Sequence, residues 1–262
     1  MSKTHLNCPG EYLFVRGDGT SMQKNLFRTP GGRAVTAVTA TEMEEVDRVA
    51  VEEVGLQLLQ MMENAGRTLA WHVRDVRTEE APVLVVAGNG GNGGGGMACA
   101  RHLANRGIPV QLIIDRSPDD LSGVAATQYR ILDEMGVPTT TDTEQLTHSE
   151  SQRVIVDALI GYGLDGEVRS PASGVIERLN ELSEPIVSLD LPSGLDATTG
   201  ETLGMAVTPT RTVTLALPKT GLESVAGALY LADISIPRSV YERLGIEYDR
   251  PFGQDDWAEL KR

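Results

Sequence analysis

With 262 residues, 40% of them apolar, the chain can bury a large core without disulfides or metal ions to hold it together. Its formal charge of −14 excludes nucleic acid and anionic lipid as main partners, because phosphate recognition draws on Lys and Arg. No apolar run approaches the roughly 20 residues of a membrane span, and Arg28 and Arg33 interrupt anything like a signal-peptide core, so no membrane and a cytoplasmic location are expected. Cys8 and Cys99 are far apart and read as two reduced thiols. Lysine occurs at positions 3, 24, 219 and 261 and nowhere else. An acidic, lysine-poor surface suits strong salt, so a halophilic source is one reading and an ordinary acidic bacterial protein the other.

Residues 1–36 mix Gly, Pro, Thr and Arg without periodicity and are set apart as a flexible or loosely docked extension, with the main domain expected over 37–262. A capping box, Thr41-Glu42-Met43-Glu44, opens an amphipathic helix over about 41–53, and a second follows over about 56–76. Val83–Ala87 is a buried-strand run ending in a glycine loop, after which a helix is expected through Ala98–Arg106. Val110–Ile114 is the next strand, a helix covers about 119–135, and a short strand lies near Val137–Thr140. Val154–Ala158 and Ile186–Asp190 flank a helix near 171–182, and Thr212–Leu217 and Ala228–Ile234 supply late strands. Strands alternating with helices predict an α/β fold: a Rossmann-like three-layer αβα sandwich with a mostly parallel central sheet.

Ligands of such sheets bind beyond the carboxyl ends of the strands. Three of those ends are rich in glycine and polar groups. The first, Gly88-Asn89-Gly90-Gly91-Asn92-Gly93-Gly94-Gly95-Gly96, has the glycine content of a backbone that approaches a ligand or adopts positive φ, and the helix start behind it favours an anion. The absence of Gly-Lys-Ser/Thr rules out a Walker A loop. Gly88-x-Gly90-x-x-Gly93 with Asp115 also satisfies the dinucleotide fingerprint, the pattern of a nicotinamide-dependent dehydrogenase, although a polyglycine run satisfies many patterns. The second end runs from Asp157 through Gly161, Tyr162, Gly163, Leu164, Asp165, Gly166 and Glu167. The third runs from Asp190 through Ser193 to Asp196. Two acids on neighbouring strand ends, facing a loop that carries Asn92, form a polar cluster that a structural role alone explains poorly.

These segments resemble the YjeF N-terminal family, the NAD(P)H-hydrate epimerases, in single-domain form. The likeness lies in Met62-Glu63-Asn64-Ala65-Gly66, in the glycine loop with Ala100-Arg101-His102-Leu103, and in Asp157–Gly163. It extends through Asp190–Asp196, Pro218-Lys219-Thr220-Gly221-Leu222 and Ala232-Asp233-Ile234 leading to Ile236-Pro237, covering about residues 37–245 in order. It implies an isomerase that interconverts the R and S epimers of hydrated NADH and NADPH, working as a homodimer alongside a separate NAD(P)H-hydrate dehydratase. It implies a potassium ion held by Asn92, Asp157 and Ser193, oxygen donors that suit a hard cation. Substrate contacts would come from Gly91–Gly95, from Gly161–Glu167 and from Asp190, which is the expected catalytic acid or base. Lys219 reads either as a neighbour of Asp190 or as a solvated loop lysine, and His102 as a packing or capping residue. Family members commonly carry Asn-Asn-Gly-Gly-Asp-Gly where this chain has Gly91 to Gly96, so Gly95 stands in place of an aspartate. That substitution keeps open a non-catalytic domain binding a nucleotide metabolite or a protein, beside the epimerase and the dehydrogenase.

Overall fold

The computed structural model describes residues 26–147 and 153–262. The chain enters through a hairpin of β1 (Phe27–Arg28) and β2 (Ala34–Val35). Helix α1 (Ala40–Arg48) runs into a π-helical segment (Val49–Val54), and α2 (Leu58–Val76) follows. Then come β3 (Val83–Ala87), α3 (Gly91–Ala104), β4 (Val110–Ile114), α4 (Gly123–Glu134), β5 (Thr139–Thr140) and β6 (Val154–Ala158). The rest is α5 (Ala172–Glu181), β7 (Ile186–Leu189), β8 (Arg211–Leu215), β9 (Ala228–Ala232), α6 (Arg238–Arg243) and β10 (Trp257–Leu260).

Eight strands form one sheet in the order β10-β9-β8-β7-β6-β3-β4-β5, every neighbouring pair parallel except β10 with β9. The chain winds outward from β3 through β4 to β5, then crosses back to β6 and winds the other way. The strand order therefore reverses between β3 and β6, which opens a crevice beyond their carboxyl ends. Alternation along the central strands divides the core. Val83, Val85 and Ala87 pack with α2, α3 and α4, whereas Leu84 and Val86 pack with Val175, Ile176 and Leu179 of α5. This is the expected αβα sandwich. Among the described residues no helix is long and apolar enough to cross a membrane.

Several boundaries differ from expectation for identifiable reasons. Of the segment set apart as an extension, residues 1–25 and Cys8 lie outside the described residues, while residues 26–36 pack on the domain. Phe27 is fully buried, and Arg28 pairs with Lys261 in both directions at 2.8 and 2.7 Å. Two overlapping capping boxes are written in Thr39–Glu44. The fold uses the earlier one: the Glu42 carboxylate accepts from the Thr39 N–H at 2.7 Å, and the Thr39 hydroxyl accepts from the Glu42 N–H at 3.3 Å. The strand β10 and the helix α6 carried no readable signal, being four and six residues long.

The largest correction concerns α3, which begins at Gly91 and not near Ala98, so most of the glycine loop is helix. Glycine is a poor helix former, at about 1 kcal/mol per residue relative to alanine. Packing overrides that propensity here. A Cβ at Gly93 would stand 1.8 Å from the Gly88 carbonyl oxygen, and one at Gly96 would stand 2.4 Å from the Ala158 Cβ. None of Gly88 to Gly96 has positive φ, and close approach accounts for Gly88, Gly93, Gly94, Gly95 and Gly96, whereas nothing crowds Gly90 or Gly91.

Candidate active site

The crevice holds a cavity of about 450 Å³. Its wall combines the start of α3 (Gly90, Gly91, Asn92), the segment after β6 (Leu159 to Gly163), Asp190, Lys219, and Met43, Glu44, Asp47, Met61 and Met62 from the first two long helices. The sheet thus delivers three loop clusters, and α1 and α2 close the cavity from the side.

Asp190 follows β7 with φ +67°, a left-handed conformation costly for a residue with a side chain and one found preferentially at functional sites. Its backbone N–H is held by the Val213 carbonyl at 2.7 Å. One carboxylate oxygen, Oδ1, receives the Lys219 ammonium at 2.5 Å, the Leu215 N–H at 3.1 Å and the Thr214 hydroxyl at 3.2 Å. Lys219 is 1% exposed, and its Nζ also donates to the Leu215 carbonyl at 3.0 Å. The solvated-lysine reading is therefore set aside. Val38 clamps the Lys219 segment from both sides, donating to the Pro218 carbonyl and accepting from the Thr220 N–H, each at 2.9 Å.

Asp157 lies within β6, paired in register with Ser188 of β7, and is fully buried. Its Oδ2 accepts from the Ser188 hydroxyl at 2.8 Å and the Ser193 N–H at 2.9 Å. Its Oδ1 accepts from the Ser193 hydroxyl at 2.5 Å and the Leu159 N–H at 3.4 Å. Burial pushes its carboxyl above the usual range, against the pull of the Ser193 bonds. The Ser193 oxygen accepts in turn from the Ile160 N–H at 2.9 Å. Asn92 lies against the same segment, since a Cβ on Gly161 would stand 3.2 Å from its own Cβ. Both amide atoms of Asn92 are buried without a partner among the described residues. Buried amides seldom go unpaired, because each lost bond costs about 1–3 kcal/mol.

The expected substrate residues divide. Gly91, Asn92, Gly161, Tyr162, Gly163 and Asp190 line the cavity, whereas Gly93, Gly94, Gly95 and the stretch Leu164, Asp165, Gly166 and Glu167 do not. Gly93, Gly94 and Gly95 are buried helix backbone. A Cβ at Gly95 would stand 2.7 Å from Leu189 Cδ2 and 3.5 Å from the Met62 sulfur, so this position faces the packing between α2, α3 and β7. Asp115 is absent from the cavity wall and is bound by its neighbour Arg116 through two bonds of 2.8 Å. The dehydrogenase reading loses its ribose acid. Sequence reasoning missed Asp47, whose Oδ2 accepts from the Tyr162 hydroxyl at 2.5 Å. No local pattern could have linked that helix residue to a loop so far along the chain.

Residues 58–221 match the family described as YjeF-related protein N-terminus. The chain belongs to this YjeF N-terminal family. It is 44% identical over 232 residues to a NAD(P)H-hydrate epimerase of Dehalogenimonas lykanthroporepellens, covering 86% of this chain and 93% of that protein. It is 36% identical over 226 residues to a bifunctional NAD(P)H-hydrate repair enzyme of Salinibacter ruber, covering 79% of this chain but only 42% of that longer protein. The crystal structure of yeast ynu0 superposes with a TM-score of 0.75 at 28% identity, over 86% of this chain and 100% of the yeast chain.

The motif residues of the YjeF N-terminal family now have visible work. In Met62–Gly66, Met62 lines the cavity and the Glu63 carboxylate takes Arg101 and His102 of α3, the latter at 2.8 Å. Asn64 donates to the Ser235 hydroxyl at 3.0 Å. Gly66 lets the helices meet: a Cβ there would stand 2.5 Å from that of Ala98. His102 is a packing residue, as expected.

Proposed function

We propose that this protein is an NAD(P)H-hydrate epimerase, interconverting the R and S forms of hydrated NADH and NADPH as a repair reaction on the damaged cofactor. The observation that carries the reading is the Asp190–Lys219 pair in the wall of a cavity at the switch point of the sheet. The names and coverage of the single-domain relatives support it. Asp190 is the group assigned to move the proton at the hydrated carbon, and Lys219 positions its carboxylate. The cofactor's phosphates fit the start of α3 at Gly90–Asn92, where backbone N–H groups and the helix dipole favour an anion.

The residues present fit a potassium ion. Asn92 offers an unpartnered buried amide beside the Asp157–Ser193 pair, all oxygen donors of the hard kind. Bound there, the ion supplies a fixed positive charge beside the start of α3. The polar network of Asp157 and Ser193 holds the segment after β6 in place.

The non-catalytic reading rested on Gly95 and on the unplaced N-terminus; Gly95 faces Leu189 and is not on the cavity wall. A homodimer accords with the exposed apolar residues Val54, Leu58 and Leu59 near the N-terminal helices. A cytoplasmic location accords with the free, buried thiol of Cys99. The bifunctional relatives are named for NAD(P)H-hydrate repair, which supports a dehydratase acting on the same hydrates as the partner activity.

The test is a coupled assay on mixed R and S hydrates with a dehydratase that consumes one epimer. Addition of this protein should drive consumption of both, faster with potassium than with an equal concentration of a larger organic cation. Persistence of the second epimer at low and high salt contradicts the reading.

A further inference from the structure

Asp190 is not the only carboxyl group on the cavity wall. Glu44 is exposed there, but Asp47 is part-buried and comes from α1, a different element from the strand end that carries Asp190. The Tyr162 hydroxyl fixes the Asp47 carboxyl at 2.5 Å. The Lys219 ammonium lies 5.5 Å from the centre of the same tyrosine ring, within cation–π reach. The pairs Asp47–Tyr162 and Asp190–Lys219 are therefore contiguous, and both face one ligand-sized space.

Inversion at a hydroxyl-bearing carbon sets a requirement that one carboxylate meets poorly. Hydration of an enamine double bond places the hydroxyl on the carbon bonded to the ring nitrogen. Epimerisation removes that oxygen from one face of the ring and returns one to the other, so protons must be handled on both faces. Resting on the epimerase reading, we propose that Asp47 is a second catalytic acid–base group, serving the face of the ring opposite Asp190, with Tyr162 as its positioning residue.

The step balances without an outside reagent. Asp47 gives its proton to the hydroxyl oxygen as the carbon–oxygen bond breaks, the bonding pair leaving with water while the nitrogen lone pair forms a carbon–nitrogen double bond. Water then adds to the other face: its oxygen pair makes the new bond, nitrogen recovers its pair, and Asp190 takes the released proton. The reverse direction exchanges the two roles, and solvent returns the proton between turnovers. Burial pushes the Asp47 carboxyl above the usual range, opposed by the Tyr162 bond and the Lys219 charge and reinforced by Asp190. The groups facing Asp47 from neighbouring elements are these three and Tyr241 of α6. Burial thus favours the protonated form of Asp47, while Asp190 Oδ1 accepts hydrogen bonds from Thr214, Leu215 and Lys219.

The experiment compares wild type, Asp47→Asn and Tyr162→Phe on each separated epimer across pH. Asp47→Asn should lower kcat about 100-fold or more in both directions while KM moves less than about threefold. Tyr162→Phe removes a bond that lowers the Asp47 pKa, so with the epimer for which Asp47 acts as the acid the alkaline limb of the pH profile should move to higher pH, and with the other epimer the acidic limb should move the same way. An active wild type with Asp47→Asn within about threefold of it overturns the assignment, and so does a Tyr162→Phe profile that superimposes on wild type. Should Asp47→Asn fail to fold, the Tyr162→Phe profile decides. An inactive wild type overturns the epimerase reading itself, and this assignment with it.

Discussion

The ends of β6 and β7 are neighbours in one parallel sheet, each carries an aspartate at or just past its last residues, and the two carboxylates have opposite fates. Asp157 is fully buried and spends both oxygens on Ser188, Ser193 and Leu159, so it is a knot that holds the loops together. Asp190 adopts a left-handed backbone conformation, places its three donors on a single oxygen, and lines the cavity. Asp157 pairs in register with Ser188 inside the sheet, whereas Asp190 lies two residues further along, past the end of β7, so position and partners together decide which becomes architecture and which becomes chemistry.

That contrast can be broken by substitution. Asp190→Asn keeps the shape of the side chain and should lower kcat by about 10²–10⁴-fold in steady-state rates, while a melting curve should also register a loss of stability, because the buried Lys219 ammonium loses its carboxylate partner. Asp157→Ala should act chiefly on stability. It strands buried donors of Ser188, Ser193 and Leu159, and denaturant unfolding should register a loss of about 3–5 kcal/mol.

A pH series sharpens the same point. Burial raises the Asp157 carboxyl in the folded state above its ordinary value of 3.8, so the folded protein binds that proton more tightly than the unfolded chain. The resulting stabilisation is fully present below pH 3.8 and is lost as pH rises through the folded value. Because asparagine does not titrate there, the stability of wild type minus that of Asp157→Asn should fall as pH rises through the acidic range. A difference that grows with pH contradicts the raised carboxyl.

The smallest expected effect is at Gly95, which touches Leu189, the residue before Asp190. Gly95→Ala crowds Leu189 Cδ2, the end of a flexible but buried side chain, and should cost about 1–2 kcal/mol, relieved when Leu189 is shortened to valine. An unchanged stability in unfolding curves would mean that the missing family aspartate leaves room unfilled.

Much of this contrast was legible in the sequence. Both aspartates follow short, mostly apolar runs containing Val and Ile, which marked the strands and the end of the sheet where ligands gather. The motif segments pointed to the family as well. What the sequence hid is three-dimensional crowding. The glycines of α3 read as a loop because their helical state is set by the nearness of Gly88, Ala158 and Leu189. Lys219 read as exposed or near the site with equal ease, because its burial depends on Val38 and Asp190 arriving from distant parts of the chain. The hairpin over 26–36 looked unstructured because its ordering comes from the other end of the chain, at Lys261.

The most direct test of the account is conversion of a single purified R hydrate, followed by chiral chromatography, with wild type and Asp190→Asn at equal concentration. The account predicts relaxation of the R form to an R and S mixture with no net redox change, and a rate at least about 100-fold lower for the variant. Equal rates for the two proteins, or no conversion by folded wild type, would contradict it.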